Sequence, residues 1–316
     1  MSDSTIYADL EQLVRLEQRA RGFSFLPRQP IHSILAGRHA SRLRGRGLNF
    51  EEIRGYLPGD DVRTMDWKVT ARMREPHVRV YTEERDRPVL LLVDQRASMF
   101  FGSRRTMKSV AATEVAALGA WKVLGGGDRV GALIFNDEEI TSIKPHRSRE
   151  RVRRLLGAMV EKNHQLGKEP SPPAKPGMLN EVLTQALQIA KHDYLVCIIS
   201  DFSGMNPDTK RLVTLLSAHN DVMSIFIYDP LEAKLPDAGR LTMAESELQL
   251  EVDTSGKKLR QQFASEFEER LERMKNISRG RSIPFLPIET SYDVARQIRD
   301  QLGASIGQGR KAATGK

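Results

Sequence analysis

The chain has 316 residues, of which 40% are apolar and 28% are charged, so it is long enough to bury the core of one large domain or two moderate ones. Its 49 basic and 41 acidic residues give a formal net charge of +8, but the two signs mostly interleave, which argues against a protein dedicated to nucleic acid. The apolar runs fall far short of the roughly 20 residues that a membrane helix needs, and the amino terminus lacks the apolar core of a signal peptide. We therefore expect a soluble globular protein of the cytoplasm.

The first part of the chain predicts a helix followed by a small β-rich region. Apolar residues recur at helical spacing over 6–20, which indicates an amphipathic helix within an amino-terminal segment that spans 1–34. A Pro-Gly pair marks a turn at 58–60, and the alternating run 77–82 predicts a strand. We assign residues 35–88 to one small β-rich region.

From residue 89 onward, apolar strands alternate with helical segments. The predicted strands lie at 89–94, 129–136, 194–200, 221–228 and 282–289. The predicted helices lie at 105–124, 148–161, 178–191, 207–218, 257–278 and 291–302, and a hairpin is expected within 234–256. Such alternation is typical of crossover units, so we predict an α/β fold with a doubly wound, mostly parallel sheet over 89–302 and a disordered tail at 303–316.

Two of the predicted strands end on an aspartate. The strand 89–94 ends on Asp94, and the strand 194–200 is followed directly by Asp201. In an open parallel sheet flanked by helices, ligands bind just past the carboxyl ends of the strands. We therefore expect the protein to work through that edge of the sheet. The alternative is that both aspartates only cap the turns or helices that follow them.

The element Asp94-x-x-x-Ser98, directly after an apolar strand, resembles the metal-ion-dependent adhesion motif of von Willebrand factor A domains. In that family an Asp and two Ser, a Thr from a second loop and an Asp from a third loop organise Mg²⁺, an ion that prefers oxygen ligands. The resemblance implies that Asp94, Ser98 and Asp201 would be the ligands if Mg²⁺ binds.

Two departures from the motif predict that this site is degenerate. Arg96 stands where the family has its first serine, and the segment 177–187 has no threonine where the family places one. Because a guanidinium satisfies carboxylates in a forked geometry, we expect Arg96 to pair with Asp94 and Asp201 in place of the metal. We expect neither tight Mg²⁺ binding nor any other cofactor.

A second and more specific resemblance covers residues 45–72 and 81–85, which look like the signature of the bacterial family known as domain of unknown function 58. In that family the signature runs into a degenerate von Willebrand A domain, so the two resemblances together cover about 35–230. Members are commonly encoded beside MoxR-type AAA+ ATPases and are thought to help them assemble or activate client complexes. The resemblance therefore implies a protein partner of this kind.

The signature segment is dense in charged residues among apolar anchors, which predicts an interlocked structural network. The expected members are Glu52, Arg54, Asp60, Asp61, Arg63, Asp66, Trp67 and Arg72. The alternative is a hydrolytic metal cluster made by the three aspartates of this set, but no histidine ligand or nucleophile stands near them at a suitable spacing.

Taken together, these patterns predict a non-enzymatic protein-recognition module, an adaptor or co-chaperone of a MoxR-type ATPase. The predicted partner-binding residues are Asp94, Arg96, Ser98 and Asp201. One alternative is a metal-dependent hydrolase that uses Asp94 and Asp201. The other is a nucleic-acid-binding protein that contacts phosphates through a basic helix carrying Arg151, Arg153 and Arg154.

Overall fold

The computed structural model describes residues 6–20, 48–58, 60–83, 87–168, 173–175, 177–245, 248–280 and 283–308, with side chains at all of these except 48–52, 80–83, 241–245, 248–252 and 303–308. The chain divides into a small unit, residues 28–86, and a large unit made of residues 1–27 and 87–316.

The strands of the described residues are β1 (Leu48–Gly55), β2 (His77–Glu83), β3 (Val89–Asp94), β4 (Val130–Phe135), β5 (Ile140–His146), β6 (Leu195–Ser200), β7 (Asp221–Tyr228), β8 (Arg240–Glu245), β9 (Leu248–Asp253) and β10 (Phe285–Glu289). The helices are α1 (Leu10–Arg19), α2 (Trp67–Met73), α3 (Lys108–Gly125), α4 (Arg149–Asn163), α5 (Met178–Ile189), α6 (Pro207–His219), α7 (Pro230–Ala233), α8 (Lys257–Arg279) and α9 (Val294–Gln308). Two short 3-10 turns lie at Val62–Thr64 and Ala97–Met99.

The small unit is built on the antiparallel pair of β1 and β2. Helix α2 begins after Asp66, whose carboxylate accepts hydrogen bonds from the amides of Lys68 and Val69 at 3.0 and 3.1 Å. It ends at Arg74, which adopts the left-handed conformation with a φ of 58° and turns the chain toward β2. With only seven residues, α2 is too short to show the helical periodicity by which the longer helices were predicted.

The large unit contains a six-stranded sheet with the strand order β10-β7-β6-β3-β4-β5. All neighbouring strands in it run parallel except β4 and β5, which are antiparallel. The predicted α/β class with a mostly parallel sheet is therefore confirmed. Strands β3, β4 and β6 are buried along their whole length, as expected for parallel strands covered on both faces.

Helices cover both faces of this sheet because side chains alternate along each strand. Leu91 and Val93 of β3 lie in one apolar cluster with residues of α1, α3, α4 and α9. Leu90 and Leu92 of the same strand lie in a second cluster with residues of α5, α6 and α8. The single cysteine, Cys197 of β6, is a buried free thiol in the first of these clusters.

The amino-terminal helix is part of the large unit. Leu13 of α1 is only 2% exposed. Its carbonyl oxygen accepts a hydrogen bond of 2.9 Å from Nε1 of Trp121 in α3. The predicted amphipathic helix is therefore present, and its apolar face packs against the helical layer that contains α3.

Some elements differ from the predictions. Strands β8 and β9 form the expected hairpin, but β5 and α7 were not predicted. Strand β5, Ile140–His146, lacks a continuous apolar run and contains a proline, so its sequence does not predict a strand. Helix α9 continues to Gln308, into the predicted tail, because no proline interrupts it.

The predicted domain limits stay predictions, and residues 309–316 lie outside the described residues. Of the helices that the structure describes, none combines the length and the apolar composition needed to cross a membrane.

Candidate functional site

The carboxyl ends of the parallel strands carry a row of aspartates, and we call this side of the sheet the strand-end edge. Strand β3 ends on Asp94, β6 is followed by Asp201, β7 by Asp229, and β4 by Asp137 after one intervening residue. All four are buried, with exposures of 0%, 1%, 0% and 7% in that order. Burial of a carboxylate is unfavourable unless hydrogen-bond donors or cations compensate it.

Arg96 binds Asp94 through a forked pair of hydrogen bonds. Its Nε lies 3.0 Å from Oδ1 and its Nη2 lies 2.7 Å from Oδ2. The hydroxyl of Ser200, at the end of β6, also donates to Oδ2 at 2.6 Å, and Nη1 of Arg96 donates to the carbonyl oxygen of Ser203 at 3.1 Å. The expected pairing of Arg96 with Asp94 is thus present, and it links β3 to the loop after β6.

The main cation at Asp201 is Lys108 rather than Arg96. The Lys108 Nζ lies 2.9 Å from Oδ2 of Asp201 and 2.8 Å from Oε1 of Glu232, whereas Nη2 of Arg96 lies 3.8 Å from Oδ1 of Asp201. Lys108 is 2% exposed. Beyond it, Nη2 of Arg270 in α8 lies 3.5 Å from Oε1 of Glu232.

Charges of opposite sign therefore alternate through the interior from β3 to α8. We call this series the ion chain, and its members in order are Asp94, Arg96, Asp201, Lys108, Glu232 and Arg270. In such an arrangement each buried charge is compensated by its neighbours, and the removal of one member leaves another uncompensated.

Burial and charge pairing act in opposite directions on the ion chain. Burial alone would raise the pKa of Asp201, but the attraction of Lys108 and of Arg96 outweighs burial and lowers this pKa to about 2. For Arg96 and Lys108, burial alone would lower the pKa, yet the neighbouring carboxylates raise the pKa of each above its ordinary value. Asp201, Arg96 and Lys108 are therefore all charged at neutral pH.

Asp229 and Asp137 join the loops of the strand-end edge through neutral donors. Asp229 accepts hydrogen bonds from the hydroxyls of Ser103 and Thr290 at 2.6 and 2.5 Å, which connects the loops after β3 and β10. Asp137 accepts a hydrogen bond of 2.7 Å from the amide of Ala97. These internal bonds fix the loops that form the surface of the edge.

A Mg²⁺ ion of the kind that the von Willebrand A resemblance implies does not fit the residues present. The carboxylate oxygens of Asp94 and Asp201 already accept hydrogen bonds from Arg96 and Lys108, so a bound dication would lie beside two buried cations. Mg²⁺ also requires a near-octahedral set of oxygens. The Oγ of Ser98 is buried and has no hydrogen-bond partner among the described residues, but one hydroxyl does not offset that repulsion.

The predicted partner-binding residues lie together, but three of them are inaccessible. Asp94, Arg96 and Asp201 are 0%, 3% and 1% exposed, and Ser98 is half-buried in its 3-10 turn. A partner carboxylate could reach the Arg96 guanidinium only if the surrounding loops moved. The strand-end edge does expose a large aromatic side chain, Tyr292, which follows β10 and is 61% exposed.

The predicted network of the small unit is present in part. Arg54 pairs with Asp60 at 2.7 Å, and Asp66 pairs with Arg79, which was not predicted, also at 2.7 Å. Asp61 caps the 3-10 turn by accepting a hydrogen bond of 2.9 Å from the amide of the second residue after it. Two of the three aspartates of the alternative metal cluster are therefore bound by arginines instead.

The other predicted members of that network do not pack as expected. The side chains of Arg63 and Arg72 are exposed. Trp67, which was expected to be an apolar anchor, is 67% exposed. The side chain of Glu52 lies outside the described residues.

Sequence reasoning missed Lys108, Glu232 and Arg270 because their sequence signals are weak. Lys108 begins a mostly apolar helix, and the other two lie in charged segments that read as solvent-facing. Asp137 and Asp229 carry a clearer signal, since each follows a buried strand just as Asp94 ends one.

The basic helix of the nucleic-acid alternative is α4. Arg151, Arg153 and Arg154 are all exposed on it and make no ion pair with any residue that the structure describes. They lie on the solvent side of α4, whose opposite side buries Val152 and Leu156.

The fold and the ion chain define a mixed α/β protein whose strand-end carboxylates are compensated by its own buried cations. The family model described as "Protein of unknown function DUF58" matches residues 52–273. The chain belongs to this family, as its signature segment predicted.

Relatives of the chain include the uncharacterized proteins Mb1516 of Mycobacterium bovis and Rv1480 of Mycobacterium tuberculosis. Each is 30% identical over 283 residues, which cover 88% of this chain and 86% of the relative. Among solved structures, the chain is similar to the conserved hypothetical protein BatB from Bacteroides thetaiotaomicron and to an aerotolerance-related membrane protein from Bacteroides fragilis. Each match has a TM-score of 0.42 and 11% identity and covers 70% of this chain and 99% of the other.

Proposed function

We propose that the protein is a non-enzymatic recognition module that acts in the cytoplasm as an adaptor or co-chaperone of a MoxR-type AAA+ ATPase. In this proposal the large unit is von Willebrand A-like, and its adhesion site is degenerate. The observation that carries the proposal is the ion chain. In it, Arg96 and Lys108 already bind the carboxylates that would have to coordinate a metal ion.

The pairing of Asp94 and Asp201 with cations supports a role in protein recognition over a role in catalysis. A general base must be free to accept a proton, and its pKa should lie near the working pH. Asp201 has a pKa of about 2 and is held by Lys108, while Asp94 is held by Arg96 and Ser200. Neither group can take part in proton transfer without breaking the ion chain.

The loops of the strand-end edge are suited to a protein partner because they are fixed and present an aromatic side chain. The carbonyl oxygen of Tyr292 accepts a hydrogen bond of 3.1 Å from Nη1 of Arg105, and the neighbouring Thr290 is bound to Asp229. An exposed tyrosine on a loop with a fixed backbone is of the residue type that often dominates binding energy in protein interfaces. We therefore propose that the partner contacts Tyr292 and the adjoining loops, and that the ion chain supports them from below.

The test is binding of the purified protein to the MoxR-type ATPase encoded in the same genome, measured by biolayer interferometry with and without ATP. We expect Tyr292→Ala to weaken binding about tenfold or more, as for a typical interface anchor. The matched control is Leu215→Ala, since Leu215 is 46% exposed but lies more than two turns into α6, away from the edge. Absence of binding in either nucleotide state, or equal losses in both variants, would contradict the proposal.

The same purified protein tests the two alternatives. A metal-dependent hydrolase predicts turnover that Mn²⁺ or Mg²⁺ stimulates and that Asp94→Asn abolishes. A nucleic-acid-binding protein predicts affinity that falls steeply with salt and is lost when Arg151, Arg153 and Arg154 are neutralised.

A further inference from the structure

The small unit presents an exposed tryptophan that its own packing does not explain. Trp67, the first residue of α2, is 67% exposed. Other large apolar side chains of the unit are also exposed, namely Leu57 at 53%, Val62 at 54% and Met73 at 59%. Large side chains of this type are normally buried, and a concentration of exposed ones indicates an interaction surface.

Four of the exposed residues of α2 share one side of the helix, whereas Met73 lies on the other side. Trp67 and Ala71 are four residues apart, as are Lys68 and Arg72, so the four side chains cover adjacent positions on the helix surface. All four are exposed. We call them the Trp67 face.

The opposite side of α2 is held in place. Val69 and Thr70 are half-buried, and Oγ1 of Thr70 accepts a hydrogen bond of 3.0 Å from the amide of His77 at the start of β2. This side of α2 is therefore bonded to the start of β2, and Trp67 lies on the other, exposed side of the helix.

Cations exceed carboxylates among the exposed side chains of this region, in which Glu75 is an exposed acidic residue. Asp60 and Asp66 are bound by arginines of the same unit, and Asp61 is used as a cap. The exposed cations of the region, by contrast, form no ion pair with any described residue. They are Arg63, Lys68, Arg72 and Arg74. Since Asp66 already binds the free amides at the start of α2, the positive charge comes from these side chains and not from the helix terminus.

We infer that the Trp67 face is a docking site for an acidic protein segment that carries an apolar side chain. Lys68 and Arg72 of the face, with Arg63 and Arg74 close to it in sequence, complement the acidic groups of the segment, and Trp67 receives the apolar group. A single-stranded nucleic acid fits less well, because such ligands stack successive bases on several aromatic side chains. Among the described side chains of the small unit, Trp67 is the one exposed aromatic group. The inference does not depend on the strand-end edge.

The probe is a fluorescein-labelled synthetic peptide of Glu, Leu and Phe, and binding is measured by fluorescence anisotropy with the full chain. We expect Trp67→Ala, and separately the pair Lys68→Glu and Arg72→Glu, to weaken binding about tenfold or more. The matched controls are Leu215→Ala and the pair Arg151→Glu and Arg153→Glu, which change exposed residues elsewhere and should leave the affinity unchanged. The same peptide with Lys in place of Glu should not bind.

Intrinsic fluorescence gives an independent reading with the unlabelled peptide. The chain has two tryptophans, and Trp121 is 3% exposed, so acrylamide quenching reports chiefly on Trp67. We expect the acidic peptide to protect Trp67 from quenching and to shift its emission to shorter wavelength.

Three outcomes would overturn the inference. One is equal peptide affinity in the wild type and the Trp67→Ala variant. Another is tighter binding of a single-stranded oligonucleotide than of the acidic peptide at this face. The third is self-association of the chain that Trp67→Ala abolishes, since the face would then bind a second copy. Because Trp67 is exposed, the variant should keep the wild-type melting temperature, which separates a binding defect from misfolding.

Discussion

At the scale of single residues, Arg96 is the cation that compensates the buried carboxylate of Asp94. We expect Arg96→Ala to lower the free energy of unfolding by about 3–5 kcal/mol, because it leaves Asp94 buried without its cation. The 3% exposure of Arg96 makes loss of stability the expected result, and urea unfolding measures it.

The control for Arg96 is Arg211, which pairs with Asp208 at the surface of α6. Because exposed ion pairs contribute little to the stability of a protein, Arg211→Ala should change the free energy of unfolding by less than about 1 kcal/mol. A similar small change in Arg96→Ala would show that the buried pair is not what stabilises the edge.

The protonation of Asp201 gives a second prediction. Its folded-state pKa of about 2 lies below the ordinary value of 3.8, so the unfolded chain binds more protons at this group. The corresponding stability, about 2 kcal/mol, is fully present above about pH 4 and is lost as the pH falls toward 2.

The measurement is the melting temperature of the wild type and of Asp201→Asn across that acidic range. The variant should be less stable at neutral pH, and its melting temperature should fall less between pH 4 and pH 2. Parallel curves for the two proteins would show that Asp201 is not the group responsible.

The sequence could predict part of this site. Asp94, Arg96 and Asp201 were predictable because each lies at or just after a strongly apolar strand, and the end of a parallel strand fixes where such a residue lies. Lys108 was not predictable. It is a lone cation at the start of an apolar helix, and its burial depends on how α3 packs against the sheet. For Trp67 the sequence predicted burial, because large apolar residues are usually buried, but the side chain is exposed.

At the scale of elements, the strands buried on both faces were the easiest to locate. The predicted limits 89–94 and 221–228 agree with β3 and β7, because each strand is mostly apolar and polar residues lie at or beside its ends. The short helix α2 and the edge strand β5 were missed. Neither has a clear apolar pattern in its own sequence. Each is held in place by contacts with other elements of the fold.

The packing of α1 against α3 can be tested by a substitution at Leu13. Leu13→Ala should lower the free energy of unfolding by about 2–5 kcal/mol, because Leu13 is 2% exposed and the substitution opens a cavity beside α3. The exposed Leu215 serves again as the comparison, since Leu215→Ala should cost less than about 1 kcal/mol. Chemical unfolding measures both values, and equal losses would show that α1 is not firmly packed.

At the scale of the whole molecule, strand order determines the chemistry of the edge. The sheet places β6 next to β3, so the loops that carry Asp201 and Asp94 are neighbours although they are distant in the sequence. Helix α3 then brings Lys108 between the end of β6 and α7. Such placements depend on non-local pairing, so a motif read along the chain identifies the carboxylates more readily than the cations that compensate them.

We propose that the side-chain cations Arg96 and Lys108 stand in for a metal at the strand-end edge. A crystal structure of the protein grown with millimolar MnCl₂, recorded at a wavelength where manganese scatters anomalously, tests it directly. We expect Arg96 and Lys108 to remain bound to Asp94 and Asp201, with no anomalous peak between the carboxylates. An octahedral manganese ion held by Asp94, Ser98 and Asp201, with Arg96 displaced, would contradict it.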